Sequence, residues 1–132
     1  MNDIKDNYTR IKEEITLTAA SCGRDPESIT LIGVSKRKSI PTVLEGIQSG
    51  IQNLGENYIQ EAVKKIDAIG QDKATWHFIG HLQSNKAKFA VRYFDFIHTV
   101  DKIKLAREIN KQAKKNNKTQ KILLQVNIGD EV

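Results

Sequence analysis

Leu123 to Ile128 reads LLQVNI, and the alternation in it decides the fold. Gln125 and Asn127 alternate with Leu124, Val126 and Ile128. A strand in a parallel sheet covered by helices on both faces is nearly all apolar, whereas a barrel strand can turn polar side chains inward near its C-terminal rim. The same feature occurs upstream in WHFIG, Trp76 to Gly80, where His77 lies opposite in phase to Trp76 and Phe78. Two such strands favour a barrel over an open sheet.

Helix and strand patterns alternate through the rest of the chain. Ile4, Tyr8, Ile11 and Ile15 form one face of a first helix, ended by Gly23 and the RDP turn. Strand TLIGVS, Thr30 to Ser35, precedes a helix that Pro41 opens as its first residue and Gly50 closes. A short strand follows at Ile51 to Leu54. After GEN, a helix carries Ile59, Val63 and Ile66 on one face and stops at Gly70. TWHFIG, Thr75 to Gly80, is the third strand, and Ser84 is the expected N-cap of a helix through Phe89 and Tyr93. FDFIHTV, Phe94 to Val100, is the fourth; Asp101 is expected to cap a lysine-rich helix, and KILLQVNI, Lys121 to Ile128, is the fifth.

Strand, helix, strand units with short connections imply parallel strands and right-handed crossovers, so the class is α/β. An open doubly wound sheet suits 132 residues. A (β/α)₈ TIM-type barrel takes about 250. The alternating strands outweigh length, and the expectation is one domain, residues 1–132, forming the N-terminal portion of a barrel with about five of its eight units.

Composition removes several function classes. With 39% hydrophobic and 28% charged residues the chain can build a core and is not a disordered one. No run approaches the roughly 20 apolar residues of a membrane span, and MNDIKDNYTR has no apolar leader segment, so a cytoplasmic protein without a membrane partner is expected. Cys22 is the single cysteine, which excludes an intramolecular disulfide, and AASCGRDP reads as a helix ending. The net charge of +5 suits anionic partners, but Ile103, Ala106, Ile109 and Ala113 leave the lysines of residues 102–118 on the outer face of an amphipathic helix. Nucleic acid is not expected, because Trp76 and Phe78 are better used in packing under helices. His77, His81 and His98 lie on different units without metal-ligand spacing, no GxSxG elbow is present, and GHLQSNK lacks the glycine spacing of a nucleotide loop.

In either α/β architecture function gathers at the C-terminal ends of strands. Those ends are Ser35 and Lys36; Gly55, Glu56 and Asn57; Gly80 and His81; Thr99 and Asp101; Asn127 and Asp130. Lys36 is in phase with Ile32 and Val34, so one strand face ends in an amine. Beside Arg37 and Lys38 such an amine can lose its proton more easily and attack an aldehyde to form a Schiff base; the alternative is a solvated rim lysine. Glu56 and Asn57 read as caps of the next helix, or Asn57 as a hydrogen-bonding partner of a polar ligand.

Five segments in this order, LIGVSKRKS, LGENYIQEAVKKI, WHFIGHLQSNKAKF, IHTVDKIKLAREIN and ILLQVNIGDE, resemble the pyridoxal 5′-phosphate (PLP) homeostasis protein family, which is similar in fold to the N-terminal barrel domain of bacterial alanine racemase. The resemblance implies a (β/α)₈ barrel holding PLP as a Schiff base on Lys36, with Asn57 beside the cofactor and His77 at a similar strand end. It implies binding, buffering and delivery of PLP to apo-enzymes rather than catalysis. Racemases add a second domain and a tyrosine base, and neither is visible here. Relatives continue through three more strands and the phosphate-binding loops, so the sequence resembles a truncated product, expected to be marginally stable or self-associating. In SKRKS, where many relatives have a threonine and a proline, Arg37 replaces a neutral residue beside Lys36. The alternatives are a racemase-like PLP enzyme, an anion or RNA binder using the lysine-rich helix, and a fragment that no longer binds PLP.

Overall fold

A computed structural model describes residues 3–129. Helix α1, Ile4–Ser21, starts where the Asp3 carboxylate accepts the Asp6 N–H at 2.7 Å and ends at Cys22, followed by Gly23 at φ +73°. A left-handed residue after the last turn is where glycine stops a helix at little cost. Strand β1, Gly33–Val34, leads through a tight turn into α2, Ile40–Gln48. The remaining units are β2, Asn53–Glu56, with α3, Ile59–Ile69; β3, Thr75–Phe78, with α4, Ala87–Tyr93; and β4, Phe96–Val100, with α5, Ile103–Lys115. Strand β5, Lys121–Leu124, completes the sheet among the described residues.

All four pairings are parallel and the strand order is β1-β2-β3-β4-β5. A doubly wound sheet reverses its order at a switch point; a barrel adds each strand beside the last. The sequential order therefore selects a partial barrel. Partners face the same side, so Val34, Gly55, His77 and Phe96 share one face. The opposite face carries Leu54, Trp76, Phe78 and Ile97, all buried beneath the helices with Ile66, Val91 and Phe94. Removing that apolar area from water is the main term holding sheet and helices together. Among the described residues no helix is long and apolar enough to cross a membrane.

Several boundaries differ from the sequence reading. The first strand shrinks to two residues, because β1 has a neighbour on one side only and β2 begins its ladder at Asn53. The second starts later and runs on through Gly55 and Glu56, which pair with His77 and Phe78. The fifth ends at Leu124, although the Gln125 N–H still reaches the Val100 carbonyl at 2.8 Å. Pro41 is the second helical residue of α2, whose cap is Ser39. Ser84 opens a 3₁₀ turn, Ser84–Lys86, ahead of α4 and does not cap it. Lys102, not Asp101, precedes α5, and no side chain caps that end. The buried stripe of α5 is Leu105, Ile109 and Ala113, while Ile103 is exposed.

Candidate functional site

The C-terminal end of β1 is built by Ser35, whose N–H continues the ladder to the Gly55 carbonyl at 2.9 Å. The chain then turns: the Lys38 N–H donates to the Ser35 carbonyl at 3.1 Å, and Arg37 sits at φ +62°. Lys36 is the first inner residue of that turn. It is exposed, and its amine has no hydrogen-bond or ion-pair partner among the described residues. Lys36 thus lies just beyond the two-residue strand β1, in the turn that follows it.

On the neighbouring strand Asn57 follows Gly55 by two residues, as Lys36 follows Val34, and Val34 pairs with Gly55. The sheet thus brings these two expected site residues to adjacent strand ends. Gly80 packs against the Asn57 backbone, and the Ile79 N–H donates to the Glu56 carbonyl at 2.9 Å. Asn57 Oδ1 is buried without a hydrogen-bond partner, a costly state for an acceptor unless a ligand or water supplies a donor. Asn57 also borders a cleft of about 250 Å³ with Tyr58, His81, Gln83 and Lys86.

Glu56 departs from its expected role as a helix cap. It is fully buried in β2 and accepts hydrogen bonds from Lys65 Nζ at 3.1 and 3.3 Å and from the Ser35 hydroxyl. Lys65, itself buried, also donates to the Ser35 carbonyl at 2.5 Å and pairs with Glu61 at 2.9 Å. Burial alone raises the Glu61 pKa, but hydrogen bonds from Lys65 and the Arg37 N–H, with the charge of Lys65, hold it below the ordinary carboxylate value. The i, i+4 spacing of Glu61 and Lys65 is the signal in the sequence that could have found this pair. The link to Glu56 was hidden, because GEN reads as a turn.

His77 occupies the strand and the phase expected for it. It lies near the C-terminal end of β3, stacked on Phe96 at 4.7 Å, with Nε2 2.9 Å from Asn53 Oδ1 and Nδ1 2.9 Å from His98 Nε2. With the Asn53 oxygen accepting, His77 carries its proton on Nε2 and accepts at Nδ1 from the His98 Nε2–H. Burial pushes His77 down to about 4, the nearby His98 adds to this, and Asp95 opposes it; burial lowers His98 as well. No cluster of three or more His, Cys, Asp or Glu able to hold a metal occurs among the described residues. The Thr99 hydroxyl donates to the Gly80 carbonyl at 2.7 Å; His81, Asp101 and Asn127 are exposed, and Asp130 lies outside the described residues.

Residues 27–131 match the family described as alanine racemase, N-terminal domain. The pyridoxal phosphate homeostasis protein of Escherichia coli strain K12 is 42% identical over 134 residues, covering 99% of this chain and 57% of that protein. The structure of PipY from Synechococcus elongatus PCC7942 with PLP bound superposes with a TM-score of 0.76 at 36% identity, over 89% of this chain and 56% of that one. An unknown protein from Bifidobacterium adolescentis superposes at 0.88 with 29% identity, over 97% and 56%. The chain thus spans a little over half the length of these relatives. With parallel strands added in chain order and a match over most of its length, the chain belongs to the alanine racemase N-terminal domain family.

Proposed function

We propose that this chain belongs to a PLP-binding protein of intracellular PLP homeostasis, which holds the cofactor as a Schiff base on Lys36 and carries out no turnover. The observation that carries the reading is an exposed lysine amine, unpartnered among the described residues, at the end of β1, next to the strand whose end carries Asn57 with its buried, unpartnered oxygen. PLP presents an aldehyde, which suits the amine of Lys36, and a ring bearing a hydroxyl and a protonatable nitrogen, which suit an acceptor such as Asn57 Oδ1. The amine bonds to the aldehyde carbon with loss of water, and the cofactor's chemistry once bound is that of an electron sink. The E. coli homeostasis protein and PLP-bound PipY support the same reading. A cytoplasmic location and PLP-dependent apo-enzymes as recipients belong to this proposal.

Family membership raises a second reading, a racemase-like enzyme. That activity needs a proton-transferring group on each face of the cofactor ring. The Tyr93 hydroxyl is engaged with Asp67 at 3.2 Å, and Tyr58 lies beside the Arg37 guanidinium. An amino-acid racemisation assay on the full-length protein separates the readings.

Borohydride reduction with PLP followed by peptide mass mapping tests the first proposal. Label confined to Lys36 and lost in Lys36→Ala supports it. Label scattered over surface lysines and unchanged in that variant overturns it for this chain, leaving a fragment that no longer binds PLP.

A further inference from the structure

Lys36 stands between two peptide groups that are both tied to one buried charge cluster. On its N-terminal side, the Ser35 carbonyl accepts from Lys65 Nζ at 2.5 Å and the Ser35 hydroxyl donates to Glu56. On its C-terminal side, the Arg37 N–H donates to Glu61. Lys65 joins the halves, 3.1 Å from Glu56 and 2.9 Å from Glu61. The side chains of Lys65 and Glu56 retain only 5% and 0% of their exposure, so this is an interior device reaching from α3 to the end of β1.

Burying an ion pair is a poor route to stability, since apolar residues of similar volume do as well or better. Its use here matches its location. The turn it supports is one that the local sequence does not favour, with Arg37 in a left-handed conformation that a long side chain adopts at a cost. A nucleophile on a loose turn samples many directions; one whose flanking peptides are fixed samples few.

We propose that Lys65, held by Glu56 and Glu61, is a positioning residue for Lys36: it fixes the Ser35 to Lys38 turn and so sets the placement and reactivity of the Lys36 amine. The assignment rests on the reading of Lys36 as the PLP attachment point, and it concerns the amine before any cofactor arrives. Lys65 touches neither the reacting amine nor the aldehyde in this role; it acts through the backbone.

Two variants test it. Lys65→Met leaves Glu56 buried beside an apolar chain and is open to misfolding. The double variant Glu56→Gln with Lys65→Met removes both charges and keeps an amide able to accept the Ser35 hydroxyl, so it preserves a cooperative melt. The readout is acetylation of Lys36 by limiting acetic anhydride, mapped by mass spectrometry across pH with exposed Lys102 and Lys104 as internal references. We expect the pH profile of Lys36 to move in the double variant, and its PLP trapping rate to fall about tenfold, while the reference lysines do not change. A Lys36 profile identical to that of the parent overturns the proposal, whatever happens to the melting temperature. If the parent chain itself takes no PLP label at Lys36, the attachment reading fails, and the acetylation profiles still decide between the two outcomes for Lys65.

Discussion

Gly80 leaves to Asn57 the space a side chain would fill: a β-carbon at residue 80 would lie 2.2 Å from the Asn57 carbonyl oxygen and 2.7 Å from its Cα. The contact is with backbone, which cannot swing away as the tip of a lysine can. Gly80→Ala must push the ends of β2 and β3 apart, and the expected loss is about 2 kcal/mol or more, the scale of overpacking in a core. Urea unfolding monitored at Trp76 measures it. An unchanged midpoint would show that the two strand ends are not packed this closely.

The His98–His77–Asn53 chain predicts how stability depends on pH. His77 titrates near 4 in the folded state against 6.5 for an ordinary histidine. Between those values the unfolded chain binds the proton that the folded chain refuses, so acid favours unfolding. The contribution is present in full above about pH 6.5 and is lost as pH falls toward 4. Melting temperatures of the parent and of His77→Gln, taken from pH 8 to pH 4, are expected to converge on acidification. Parallel curves would mean that His77 titrates normally.

Two lysines should differ in how much stability is lost with their charge. Lys118 donates to the Val91 and Phe94 carbonyls at 2.6 and 2.7 Å, closing the C-terminal end of α4. Lys118→Met strands the Val91 carbonyl and leaves the Phe94 carbonyl with the Gln120 side-chain amide at 3.2 Å, and should cost about 1–2 kcal/mol. Lys36 has no such partner, so Lys36→Met should change stability by no more than about 0.5 kcal/mol while abolishing specific PLP trapping. Chemical denaturation of both variants checks the pair.

Strand β5 and the residues after it expose apolar side chains: Leu124 is 73%, Val126 70% and Ile128 92% accessible. Contiguous apolar surface beside a strand edge promotes association. The 132-residue chain is expected to self-associate with rising concentration, and Leu124→Lys with Val126→Lys to suppress this. Sedimentation velocity over a concentration series measures both, and a parent chain monomeric throughout contradicts the expectation.

Of the residues that carried the barrel reading, His77 has its environment set by pleating, whereas Gln125 and Asn127 lie beyond the end of β5. His77 alternates with Trp76 and Phe78 in the sequence, and the sheet puts it on the face opposite theirs. Its bonds to Asn53 and His98 were not legible, since they join three strands whose register no single segment encodes. Glu56 failed for a different reason. A carboxylate between a glycine and an asparagine has the local chemistry of a turn, and only burial against Lys65 makes it part of a strand. Likewise Asp101 has the chemistry of a cap, yet the helix starts two residues later with no capping side chain. At Glu56 local propensity was overridden by a distant partner that supplied the hydrogen bonds, whereas at α5 nothing among the described residues replaces the cap.

Because each strand lies beside the one made just before it, no pairing among the described residues has to wait for a distant part of the chain. Loops to be closed are each one helix long, and their entropic cost is accordingly small. Synthesis proceeds at about 5–20 residues per second, far slower than such local closures. The order of translation is therefore also an order in which the units can assemble: β1 and α2 meet β2 as it emerges, and the turn carrying Lys36 gains its Lys65 anchor as soon as α3 has left the ribosome.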